Sequence, residues 1–172
     1  EARAAGGEAL FVPCDVTEEG GVEAAVARCG DSYGALDILY NNAGGSTPQD
    51  DMVTGVPMEE VWRCMKLGLL GTFLSSRFGI RAMQRAGRGG SVINTASYNA
   101  TIGTAGRDCY AAAKGGVIAL TRSMAVEYAP EGRRGFYGSW PQVGVPAGLL
   151  LGTVAFGLVS LLPDEQFLGW GW

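Results

Sequence analysis

The sequence predicts an α/β fold, a parallel sheet flanked by helices, and three observations predict it. Strand-like and helix-like stretches alternate: strands at 9–12, 36–40 and 91–96, helices at 18–29, 58–85 and 108–128. Short connections between such elements favour crossover-linked parallel strands. Two of the strand stretches, LDILY and SVINTA, lack strict apolar/polar alternation, as strands covered on both faces do. Finally, Asp15, residues 41–44 and Ser97 each follow a strand, so all would collect beyond the carboxyl edge of the sheet, where such folds bind ligands.

The elements follow from local chemistry. Residues 1–5 read as a helix tail, Gly6-Gly7 as a turn, and 9–12 as a short strand. Thr17 is an N-cap candidate for the first full helix, whose apolar face would be Val22, Ala25, Val26 and Cys29. Asn41 to Gly45 ends the next strand with small residues that tolerate left-handed backbone, suiting a loop that a ligand approaches closely. Residues 46–56 are polar and irregular. Pro57 suits the first turn of the following helix, and Gly87 to Gly90 ends it.

Composition narrows the chemistry. The chain of 172 residues can bury a single-domain core, and its net charge of −4 gives no reason to expect a nucleic-acid partner. With no histidine, acid/base work falls to Tyr, Lys or carboxylates, and no metal site is expected. Cys14, Cys29, Cys64 and Cys109 have no CxxC spacing, so free thiols in a reducing cytosol are expected. Residues 1–7, polar and small, do not read as a signal peptide.

One set of side chains carries a reaction. Tyr110 and Lys114 stand four apart on a helix and share a face. A neighbouring ammonium favours the phenolate, which makes tyrosine a more useful acid/base than its free pKa of about 10 allows. Ser97 on the adjacent strand end could hold a substrate oxygen against the phenol, an arrangement suited to the proton transfer that accompanies a hydride transfer. A Tyr-x-x-x-Lys pair alone arises often by chance. The strand-ending serine and the Asn-Asn-Ala-Gly loop are what give it weight.

Several motifs at matching spacings go further. Asp15-Val16, Asn41-Asn42-Ala43-Gly44, Ser97 thirteen residues before Tyr110, Tyr110-Ala-Ala-Ala-Lys114, and the following LTRSMAVE together resemble a classical short-chain dehydrogenase/reductase over residues 1–132. The resemblance implies part of a Rossmann-type sheet and an NAD(P)-dependent enzyme interconverting an alcohol and a carbonyl. It makes Tyr110 the acid/base, gives Lys114 the nicotinamide ribose, and has Ser97 position the substrate carbonyl. Asp15 and Val16 would contact adenine, while Asn41, Ala43 and Gly44 would line the cofactor cleft. It also implies a cytoplasmic homo-oligomer joined through the helices at 58–85 and 108–128.

Three departures accompany it. The family's glycine-rich pyrophosphate turn, with its first strand and helix, would lie before residue 1, and cofactor affinity is expected to suffer without it, as is any reading of NAD against NADP. Gly68 stands where the family places a relay asparagine, and the likeness ends at Arg133. Beyond it, residues 135–163 hold 29 positions without a charge, and 143–162 is long enough to be a membrane helix. Gly144, Gly148 and Gly152 form a small-residue stripe, Trp140, Trp170 and Trp172 would be interfacial, and Arg133-Arg134 would stay in the cytoplasm. Residues 124–172 resemble a metabolite/proton symporter segment of the major facilitator superfamily. The expected organisation is thus 1–132 as one domain and 133–172 as a hydrophobic tail. The alternative to a working enzyme is an inactive membrane-attached chimera or transporter fragment.

Overall fold

Two of the apolar runs form the sheet. In the computed structural model, which describes residues 6–160, β1 (Ile38–Asn41) and β2 (Ser91–Asn94) pair in parallel, Ile38 opposite Ser91 and Asn41 opposite Asn94. Such pairing needs a long crossover. Here it is a loop over residues 42–57 followed by continuous helix: α2 (Met58–Cys64), a π-helical stretch Met65–Leu70, and α3 (Gly71–Ala86). Before the sheet lies α1 (Glu19–Tyr33), closed by Gly34 in the left-handed conformation with its N–H on Gly30 O at 2.8 Å. After it come a short 3₁₀ turn (Tyr98–Ala100), α4 (Asp108–Tyr128) and α5 (Arg134–Val159).

Small residues set the spacing of these layers. A Cβ on Gly79 would stand 2.7 Å from Leu39 Cδ2, so α3 lies close on β1 because that position is glycine. On its other side α3 meets α1 through Val22, Leu74 and Phe78, with Val16 and Val26 packed beside them. α4 rests on the π-helical stretch, where Gly68 faces Ala113 and Gly116 faces Leu69. A second cluster, Cys64, Cys109 and Ala113, fills that contact with help from Val56, Val61 and Met65. Asn94 ties β2 to the same helix by donating to Thr121 Oγ1 at 2.8 Å. All four cysteines are free.

Two expectations are corrected. Residues 9–12 form no strand: among the described residues the sheet holds β1 and β2 alone, 9–12 pair with neither, and a ladder requires a partner. Between Cys14 and Val16 on that segment and Leu36, Leu39 and Ala43 near β1 lies a cavity of about 250 Å³. The second correction concerns the tail. A helix does run through Val159, but among the described residues no helix is long and apolar enough to cross a membrane. Residues 161–162 of the expected span lie outside the described residues. Trp170 and Trp172 lie there too. Membrane contact through 143–162 therefore has no support from the fold.

Candidate active site

α4 presents Tyr110 and Lys114 one turn apart, and the two side chains meet: Lys114 Nζ stands 5.9 Å from the centroid of the tyrosine ring. Lys114 is 2 % exposed and donates to Thr95 O, just past the end of β2, at 2.6 Å. Burial pushes its pKa below the ordinary lysine value, since desolvation penalises the ammonium. The glycine of the Asn-Asn-Ala-Gly loop makes room for it. A Cβ on Gly44 would come within 3.1 Å of Lys114 Nζ, so a side chain there would press on the ammonium.

Gly68 adjoins the same spot. Its Cα lies 3.9 Å from where a Cβ on Gly44 would stand, and its own absent Cβ would meet Ala113 Cβ at 3.2 Å. The helix is π-wound there, a local widening found often at functional sites. Gly68 thus offers Lys114 no side chain.

The other expected residues divide. Val16, Asn41 and Ala43 border the 250 Å³ cavity, whereas Asp15, Gly44, Tyr110 and Lys114 lie outside its lining. Asn41 is turned inward: its Nδ2 donates to Ser76 Oγ at 3.1 Å and Asn94 Oδ1 at 2.8 Å, and its carbonyl accepts from Thr95 N. Asp15 is exposed, and its Oδ1 accepts from Thr17 N and Oγ1, which holds its carboxyl below the usual range. Ser97 follows β2, where its Oγ accepts from Asn99 N at 3.3 Å and starts the 3₁₀ turn.

Sequence reasoning passed over the residues that fasten this site. Arg107, at the start of α4, gives the helix no side-chain cap. Instead Asp50, from the supposedly irregular loop, accepts from Cys109 N and Tyr110 N, both at 3.0 Å. Arg107 Nη1 reaches back to Ser46 Oγ at 2.8 Å and Thr47 O at 3.0 Å, and Asp108 Oδ2 accepts from Val53 N at 2.8 Å. Lower down, Glu60 is buried and paired with Arg63 at 2.6 Å, and Arg63 also donates to Gly45 O at 3.0 Å. That hydrogen bond from Arg63 holds the Glu60 carboxyl at about 2. Burial pushes the neighbouring Cys64 thiol up to about 12. No signal in the sequence marks this: Asp108 is itself a favoured capping residue, and only the fold shows it turned to Val53 N while Asp50 takes the first N–H groups of the helix.

The structure thus holds a parallel sheet with its crossover helix, a serine just past the end of β2 and a tyrosine beside a buried lysine. The short-chain dehydrogenase family matches residues 1–134, and the chain belongs to that family. It is 39 % identical over 137 residues to cis-4-hydroxycyclohexanecarboxylate dehydrogenase of Sinomonas cyclohexanicum, covering 77 % of this chain and 52 % of that protein. With borneol dehydrogenase of Lavandula x intermedia the identity is 41 %, covering 72 % and 48 %. Among solved structures, a short-chain type dehydrogenase/reductase from Mycobacterium marinum superposes with TM-score 0.70 at 35 % identity, over 74 % of this chain and 50 % of that one. The chain spans about half the length of the curated relatives it matches. Nothing in these likenesses supports the symporter resemblance of the tail.

Proposed function

We propose that this chain carries the proton-transfer centre of an NAD(P)-dependent oxidoreductase that interconverts an alcohol and a carbonyl. The observation that carries the reading is the buried Lys114 ammonium 5.9 Å from the Tyr110 ring in a member of the short-chain dehydrogenase family. In the reductive direction Tyr110 Oη gives its proton to the carbonyl oxygen, and in the oxidative direction it takes the alcohol proton. Lys114 stabilises the negative charge left on the phenol oxygen. Ser97 Oγ accepts from Asn99 N and, keeping its hydroxyl proton to donate, steers the substrate oxygen towards the phenol.

The residues present fit a nicotinamide ribose. Lys114 Nζ carries three donors and uses one on Thr95 O, and Gly44 leaves the space against it that a Cβ would fill. Lys114, Tyr110, Ala43 and Gly44 would hold that end of the cofactor, with Asn41 fixing the loop through the sheet, and Asp15 and Val16 would meet adenine. When bound, the nicotinamide supplies or accepts the hydride at the carbon bearing the oxygen.

Two further points belong to the same proposal. The division near residue 132 is supported by a family match that ends at 134. Homo-oligomer formation through the helices at 58–85 and 108–128 is supported by their exposed apolar residues, among them Met58, Trp62, Phe73 and Val126.

The test is a fluorescence titration of the chain with NADH and NADPH, followed by oxidation assays. Relatives named for a hydroxycyclohexanecarboxylate and for borneol make ring-bearing alcohols the first substrates to try. Saturable binding is expected, with Y110F still binding but turning over about 10²–10⁴-fold more slowly. Absence of saturable binding, or Y110F turning over at the parent rate, would overturn the reading.

A further inference from the structure

We propose that Asp50 is a positioning residue for Tyr110: its buried carboxylate, bonded to the first turn of α4, sets where the phenol stands relative to Lys114. The inference rests on the function proposed above and adds a residue outside the Ser-Tyr-Lys set.

The geometry begins with an unmet need. The opening N–H groups of a helix have no intrahelical partner, and Arg107 supplies none to α4. Asp50 supplies two, Oδ1 to Cys109 N and Oδ2 to Tyr110 N, each at 3.0 Å, across 59 and 60 residues of sequence. One of these bonds is to the backbone of the tyrosine itself, so a displaced carboxylate would move Tyr110 directly.

Helix capping alone does not demand this device. A serine or threonine beside the helix meets the same need at the surface, whereas Asp50 is 5 % exposed and burying a carboxylate is costly unless it is fully bonded. It is fully bonded. Ser46 Oγ donates to Oδ2 at 3.1 Å, and Arg107 Nη1 fixes that hydroxyl at 2.8 Å. A negative charge at a helix N-terminus is also favoured by the aligned peptide dipoles.

The loop that carries Asp50 starts at the other wall of the site. Gly44 lies against Lys114 Nζ, Gly45 is held by Arg63, and Ser46 and Asp50 then reach the turn bearing Tyr110. One short stretch of chain therefore runs from beside the lysine to the backbone of the tyrosine. Its far end is secured as well, by Val53 N on Asp108 Oδ2. Asp50 is the point at which this strap holds the backbone of Tyr110, and with it the place of the phenol beside Lys114.

The experiment uses the full chain labelled with [13Cζ]tyrosine, the Tyr110 resonance being assigned by its loss in Y110F. In the parent, K114M should move that resonance. In D50A the response to K114M should shrink by at least half, and amide hydrogen exchange at Cys109 and Tyr110 should accelerate at least tenfold. On a substrate the parent turns over, D50A should lower kcat about tenfold with KM within twofold. D50N keeps a single acceptor and should fall between the two. It also serves if D50A does not fold. If the Tyr110 resonance and its response to K114M are the same in the Asp50 variants as in the parent, even with faster exchange, Asp50 is a helix cap only and the proposal is overturned. A parent chain without turnover would count against the proposed function while leaving the resonance test of Asp50 intact.

Discussion

α4 and α5 are both long and rich in apolar residues, yet among the described residues only α4 buries side chains. α4 buries Cys109, Ala113, Lys114, Val117 and Ile118, spaced four, one, three and one apart so that they share one side of the helix. Residues on the other side, such as Ala112, Ala119 and Ser123, are exposed. α5 is uncharged from Gly135 onward, and none of its described side chains is buried; Leu150 and Leu151 are 66 % and 69 % exposed. Apolar content does not decide burial. What decides it is whether the apolar groups are gathered on a side that another element can cover.

The largest test of that contrast removes a core group from α4. Ile118→Ala should cost about 2–4 kcal/mol, because truncating a buried Ile loses its transfer free energy and leaves a cavity. Urea unfolding followed by circular dichroism measures it. A loss below about 1 kcal/mol would mean that α4 is no better packed than α5.

A second test addresses the polar side of α4's anchorage. The Glu60 carboxyl is held from 4.5 down to about 2, chiefly by its hydrogen bond from Arg63. A group whose folded pKa is depressed contributes stability that is present above its unfolded value and lost as pH falls to the folded one. The Tm should therefore fall between pH 4.5 and pH 2, and E60Q should flatten that limb while lowering the Tm at pH 7. Equal acid limbs for the parent and E60Q would remove Glu60 from the set of groups that hold the loop.

This division also marks what could be read beforehand. The helix from Asp108 to Tyr128 and the pairing of two apolar strands were legible, because periodicity and run length are local properties. The meeting of Tyr110 with Lys114 followed from a spacing of four on one helix. The strand at 9–12 was not settled by its own residues, since pairing depends on a neighbour. Asp50 and Glu60 were illegible for the same reason: each is an ordinary acidic residue in sequence, and its role comes from a donor brought close by folding, 59 residues away in the case of Asp50 and Cys109. Gly44 lay between these cases. Its motif was visible, but its contact with the lysine needed the fold.

The smallest expected effect belongs to α5. Leu150→Gln with Leu151→Gln replaces two exposed leucines by a residue of nearly equal helix propensity, so neither packing nor helix formation should change much. The pair should shift stability by no more than about 0.5 kcal/mol, as surface substitutions usually do. The measurement is the same urea titration used for Ile118→Ala, so the two helices are compared on one scale. A loss above about 1 kcal/mol would mean that these leucines are covered in solution, by another copy or another part of the chain. The contrast between the helices would then lie in what covers each of them, and the uncharged surface of α5 would be a contact face. A null result leaves it an apolar helix that rests on α4 without contributing a core.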